Sequence, residues 1–127
     1  MTPATAIALS GLTAATLKLN VSASNLANAD DTSPVGGAGG YQPKQVVNSA
    51  TAGGGVTATA VTVRPATLIA YVPTSPVANA QGQVEAPEID PITEISNQIN
   101  ASQAFAFQLK VLKTAQDEQK TLLDVTS

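Results

Sequence analysis

The chain reads as an α+β fold: two long terminal α-helices forming an antiparallel, coiled-coil-like hairpin, with a small β-rich insert between them. Three observations predict it. Residues 3–28 hold helix formers with no proline after Pro3, and Leu12, Leu19 and Leu26 recur seven residues apart. Residues 32–88 alternate Gly- and Pro-rich stretches with short Val- and Thr-rich runs. Asp90-Pro91 then opens a pattern that meets no helix breaker before Asp124. The expected segments are 1–31, 32–88 and 89–127.

In the first helix, Leu9 and Ala23 fall beside the leucine stripe at about 100° per residue. Ile7, Ala14, Leu17 and Val21 fall on the opposite side, and Asn25 and Asn28 extend that second stripe. A helix apolar on two opposed faces must be covered on both. One partner helix covers one of them, so the second face predicts a neighbouring subunit. A buried amide such as Asn25 or Asn28 fixes register if it is partnered, and an Asn near a helix end also marks termination. Asp30 and Asp31 stand where the helix dipole disfavours negative charge, so the helix should stop before them.

The insert begins with two glycine clusters, residues 36–40 and 53–55, around a possible strand from Tyr41 to Val47. Val56 to Val63 reads as a strand. There the apolar positions slip from Val56, Ala58 and Ala60 to Val61 and Val63, which hints at a bulge. Leu68 to Val72 is a further short strand stopped by Pro73, and residues 79–82 form a turn before Val84. Asp90 then caps the second helix, with Pro91 at the first helical position, where a missing donor costs nothing. Along this helix Ile92, Ile95, Ile99 and Ala106 form a stripe that passes to Phe105, Leu109 and Leu112, while Phe107 and Val111 lie elsewhere. The apolar surface again exceeds what one helix can cover.

Composition narrows the function. The 127 residues include no Cys, His or Trp, and only two Tyr and two Phe. Burying alanine-rich surface releases little free energy, so packing against other chains is expected to complete a thin core. The net charge is −3, with Arg64 the only arginine among six basic residues, which argues against a nucleic-acid partner. No cofactor is implied. No catalytic spacing, phosphate-binding loop or metal-binding pattern is present. Glu85, Glu88 and Asp90 read as solvated and capping carboxylates, not as a cation site. No run of about 18 apolar residues predicts a membrane span, and the first 20 residues do not read as a cleaved signal peptide.

Ser10-Gly11-Leu12, Leu19-Asn20-Val21 and Ser24-Asn25-Leu26-Ala27-Asn28-Ala29-Asp30 together resemble the N-terminal signature of bacterial flagellar rod and hook axial proteins. Ile89-Asp90, Ile95, Ala101-Ser102-Gln103-Ala104-Phe105 and Val111-Leu112-Lys113-Thr114-Ala115 are similar to the C-terminal helix pattern of that family. Residues 41–47, residues 76–82 and the total length are similar to those of a short proximal-rod member. Gln103-Ala104-Phe105 stands where the family has Arg-Ala-Tyr.

The resemblance implies a structural subunit of the periplasm-spanning basal-body rod. Such a subunit is carried out by the type III export apparatus without a cleaved signal, and it stacks helically with itself and other rod subunits to transmit torque. Leu12, Leu19 and Leu26 are then expected to meet the C-terminal helix at Ile95 and Ile99, with Phe105, Leu109 and Leu112 further along. Val21, Asn25 and Asn28 are expected to help form contacts between subunits. The sequence alone does not choose which stripe faces inward. It also leaves open an adaptor, a helical hairpin that binds one partner and does not polymerise.

Overall fold

The computed structural model describes residues 3–37 and 39–126. Their order is α1 (Pro3–Ala27), β1 (Lys44–Ala50), β2 (Val56–Thr62), β3 (Thr67–Tyr71), β4 (Gln83–Pro87) and α2 (Pro91–Thr126). The fold is the expected α+β arrangement: two helices packed on each other, and between them two antiparallel two-stranded sheets, β1–β2 and β3–β4.

The helices run antiparallel. Ser22 Oγ donates to the Glu94 carbonyl at 2.7 Å near one end of the pair. A Cβ placed on Gly11 would lie 2.7 Å from Gln108 Cδ further along, so the glycine permits close approach there. The seam follows a heptad on both helices. Thr5, Ala8, Leu12, Ala15, Leu19, Ser22 and Leu26 step by three and four along α1, and all are buried or half-buried. On α2 the same steps give Glu94, Gln98, Ala101, Phe105, Gln108, Leu112, Ala115 and Gln119, again all buried or half-buried.

Leucines therefore alternate with small residues on α1. Small residues let the backbones approach closely but bury little apolar area, as the composition implied. With 25 residues in α1 and 36 in α2, the second helix outruns the first. Every residue from Lys120 to Thr126 is exposed.

The β1–β2 hairpin lies along α1. Seven residues of β1 span about 23 Å, close to the roughly 22 Å between positions 10 and 25 of a helix. Both ends are pinned. Val56 N–H donates to Ser10 Oγ at 3.1 Å, while Asn25 holds Lys44 at the start of β1. The hairpin turns through Gly54 and Gly55, with φ of 83° and 90°, a region that side chains disfavour. The other sheet, β3–β4, packs on no other described helix or strand. It is tied to the chain by the bridge between Ser33 and Glu85, with N···O distances of 2.9 and 2.8 Å. Val84 is its buried centre, with no exposed surface.

Three expectations change. The hinted bulge in β2 is absent: pairing from Lys44↔Thr62 to Ala50↔Val56 is unbroken. The apolar slip arises because Val61 faces solvent while Val56, Ala58 and Ala60 face α1. The first strand begins at Lys44, not at Tyr41, whose hydroxyl is engaged by Asn25. The second face of α1 is also covered in good part within the chain itself. The hairpin already covers much of it, with Ile7 against Gly54, Ser10 bonded to Val56 and Ala14 buried.

Helix α2 starts as its sequence dictates. Asp90 accepts from the Thr93 hydroxyl and from the backbone N–H groups of Ile92 (3.2 Å) and Thr93 (3.3 Å). The Thr93 side-chain bond, with the two backbone bonds, holds the Asp90 carboxyl below its ordinary value despite slight desolvation. A lowered folded value stabilises above the unfolded carboxylate value of about 3.9. That contribution is lost as the pH falls through the lower folded value. Helix content lost on acidification should thus include the first turn of α2. Asp90→Asn should remove that part of the pH dependence, as read from amide exchange of residues 92–95 between pH 5 and pH 2.

Candidate assembly surface

Asn25 is the polar centre of the molecule. It is 1 % exposed and uses its full hydrogen-bonding capacity within the chain. Nδ2 donates to the Lys44 carbonyl at 2.7 Å and to Glu94 Oε1 at 3.0 Å. Oδ1 accepts from Lys44 N–H at 3.0 Å and from the Tyr41 hydroxyl at 2.9 Å. By taking both backbone groups of Lys44, the amide acts as a one-residue neighbouring strand. It joins α1, α2 and the hairpin at one point. The expectation that Asn25 faces a neighbouring subunit is therefore corrected, because no capacity is left to offer one. Asn28 folds back on its own helix, donating to the Ser24 carbonyl at 2.7 Å across the last turn of α1.

The other predicted residues divide between seam and surface. Leu12 is buried in the seam, and Leu19, Leu26, Phe105 and Leu112 are half-buried at seam positions. Val21 lines, with Val46 and Val63, a hollow of about 360 Å³ beneath the start of β1. Ile95 and Ile99 do not meet the leucines: they are 48 % and 53 % exposed. Seam positions on α2 belong to Gln98 and Ala101, which puts both isoleucines on the outer side. Leu109 follows them there, as does Ile92.

Ile92, Ile95, Ile99, Ala106 and Leu109, spaced by three, four, seven and three, form an apolar stripe along the uncovered side of α2, interrupted by Ser102 and Gln103 between Ile99 and Ala106. Such a stripe is costly to leave in water and is the mark of a contact surface. Phe107, Leu122, Leu123 and Val125 add exposed apolar area along α2 and at its overhanging end.

Sequence reasoning missed Ser10, Ser22 and Tyr41, which carry bonds between elements, and the small seam residues Ala8, Ala15 and Ala101. The seven-residue recurrence of Ala8, Ala15 and Ser22 was the available signal, masked by the larger leucines beside it. For chemistry the site offers little. Among the described residues no group of three or more His, Cys, Asp or Glu gathers to hold a metal ion. Glu85 Oε1 accepts from Gly36 N–H, and Asp90 caps α2.

Two family models match the two ends of the chain. Residues 6–33 match the flagella basal body rod protein model, and residues 80–125 match the C-terminal model of the flagellar basal body rod FlgEFG proteins. The flagellar basal-body rod protein FlgC of Escherichia coli O6:H1 is 39% identical over 115 residues, covering 85% of this chain and 84% of that protein. FlgC of Salmonella typhimurium is 40% identical over 116 residues, with coverage of 85% and 84%. FlgC of Bacillus subtilis is 28% identical over 120 residues, covering 78% and 80%. With both ends, the insert and nearly the whole length accounted for, the chain belongs to the FlgC family of flagellar basal-body rod proteins, structural subunits of that rod.

Proposed function

We propose that this subunit builds the proximal part of the rod, packing helically against other rod subunits and copies of itself, and passing torque along the axis without catalysing a reaction. The observation that carries this reading is the Ile92–Leu109 stripe. The seam of the helical hairpin is already filled, so this apolar row has no use inside the chain and suits the flank of a neighbouring helix. The overhang from Lys120 onward, with Leu122, Leu123 and Val125 exposed, would extend the contact to a subunit further along the axis.

Export through the type III apparatus and a place across the periplasm go with this reading. Although α1 is long and apolar enough to cross a membrane by length and composition, its polar residues Thr5, Ser22 and Asn25 are buried against the rest of the chain. Soluble packing, not insertion, is the role proposed for it.

The adaptor reading gains one point, since the chain covers much of both faces of α1 by itself. Amide exchange across a concentration series separates the two. A rod subunit should show fast exchange in residues 116–126 when dilute and slow exchange there once assembled, because an exposed terminal helix is marginal alone. Protection that is the same at every concentration would favour the adaptor.

A further inference from the structure

The two hairpins expose four strand edges, and the hydrogen bonds show which are filled. Val63 N–H to Pro43 O (2.9 Å) and Thr51 N–H to Gly55 O (3.2 Å) turn the odd-numbered residues of β1 and β2 toward each other, so the even-numbered ones point their backbone groups outward. Val72 N–H to Gly82 O and Glu88 N–H to Ala66 O, both 2.9 Å, turn Thr67, Ile69 and Tyr71 of β3 and Gln83 and Glu85 of β4 outward.

The outer edge of β4 is taken by Asn79 at Gln83 and by Ser33 at Glu85. That of β1 begins under the Asn25 amide, and its next outward residues, Val46 and Asn48, line hollows above α1 and α2. On β2 only Val56 is held, by Ser10. Ala58, Ala60 and Thr62 of β2, and Thr67, Ile69 and Tyr71 of β3, have no backbone partner on their outward side among the described residues.

We infer that β3 of one copy of this chain adds as a strand to the outer edge of β2 in the next copy, an inference that rests on the rod reading. The two open edges match in length, with three outward residues each. They match in charge, since residues 45–63 and 65–84 contain no Asp, Glu, Lys or Arg, so no like charges are opposed. They match in shape as well. Beside the edge of β2 lies a mostly apolar hollow of about 400 Å³ lined by Ala6, Leu9, Thr13 and Ala58, while β3 presents Leu68, Ile69 and Tyr71, which are 51 %, 61 % and 73 % exposed.

The β3–β4 sheet stands clear of the helices and is free to reach a neighbour. Because the paired edges come from different strands, the contact is head-to-tail. It propagates along an assembly instead of closing a dimer, and open edges are the usual acceptors of strand addition.

The chain contains no cysteine, so cross-linking reads the contact directly. Ile69→Cys is produced together with Ala58→Cys, Ala60→Cys or Thr62→Cys in place of the native subunit, and basal bodies are purified and oxidised. A disulfide forms only between Cα atoms within about 7 Å. One of the three pairings should therefore give a linked dimer that neither single variant gives. Ile69→Pro should keep the β3–β4 ladder, since the Ile69 N–H points away from β4, but should lose incorporation into rods.

A linked dimer from Ile69→Cys alone would show β3 pairing with β3 and overturn the inference. Absence of every β2–β3 link in rods that contain the chain would also overturn it and leave the rod reading standing. Absence of the chain from basal bodies would overturn both.

Discussion

Asn25→Leu, which keeps the number of side-chain heavy atoms and their branching, should lower the thermal unfolding midpoint by on the order of 10 °C. The leucine strands Lys44 N–H, Lys44 C=O and Glu94 Oε1, all of which the amide now satisfies. A stranded polar group costs about 1–3 kcal/mol. Water reaching the half-buried Glu94 relieves part of that, which leaves roughly 3 kcal/mol in total. The loss is not spread evenly. Among the hydrogen bonds described between β1–β2 and α1, release of the Lys44 end leaves that of Val56 N–H to Ser10, so the second face of α1 should open before the helix seam does.

Thermal circular dichroism reads the midpoint, and amide exchange at Lys44 and residues 17–25 reads the local opening. An unchanged midpoint with Lys44 still protected would mean that the hairpin holds its place by apolar packing alone. The same bonds explain why a polar side chain sits at the junction of three elements in a chain with so few large apolar residues. Where packing area is small, a fully partnered amide fixes the relative position of the elements more sharply than alanine contacts can.

Both helices were legible because their signals are local. Asp90-Pro91 sets the start of α2, Asp30 and Asp31 lie just past the end of α1, and the seven-residue leucine recurrence marks one seam position. The β strands were legible as Val- and Thr-rich runs between glycines and prolines. What could not be read was which strand lies on which helix. The coverage of α1 by the hairpin depends on a match between strand length and helix rise, and on Ser10 and Asn25 meeting residues 46 and 19 positions away.

The seam on α2 was misplaced for a related reason. Isoleucines look like core and glutamines look like surface, yet Gln98, Gln108 and Gln119 take seam positions while Ile95 and Ile99 face out. On the proposed rod reading the ordinary rule is inverted, with the most apolar row kept for neighbouring subunits. Asn25, read as a register residue for contacts between chains, performs that office inside one chain.

That inversion yields the second large effect. Ile95→Ser with Ile99→Ser should leave the isolated chain folded, since both side chains are about half exposed in it. Serine and isoleucine also differ little in helix propensity, so the stability change should stay within about 1 kcal/mol. The assembled rod should respond very differently. Burying the exposed half of each isoleucine against a neighbouring subunit is worth roughly 1 kcal/mol, and the loss recurs at every copy along the stripe. Rods should fail to form, and cells should lose motility while still producing a folded subunit.

The direct measurement is electron microscopy of basal bodies purified from cells in which this double variant replaces the native subunit, with circular dichroism of the purified variant as the fold control. Basal bodies that lack the rod, alongside a variant with native helix content and an unchanged melting curve, are the expected result. Complete rods containing the variant would contradict the assignment of the Ile92–Leu109 stripe as the assembly surface.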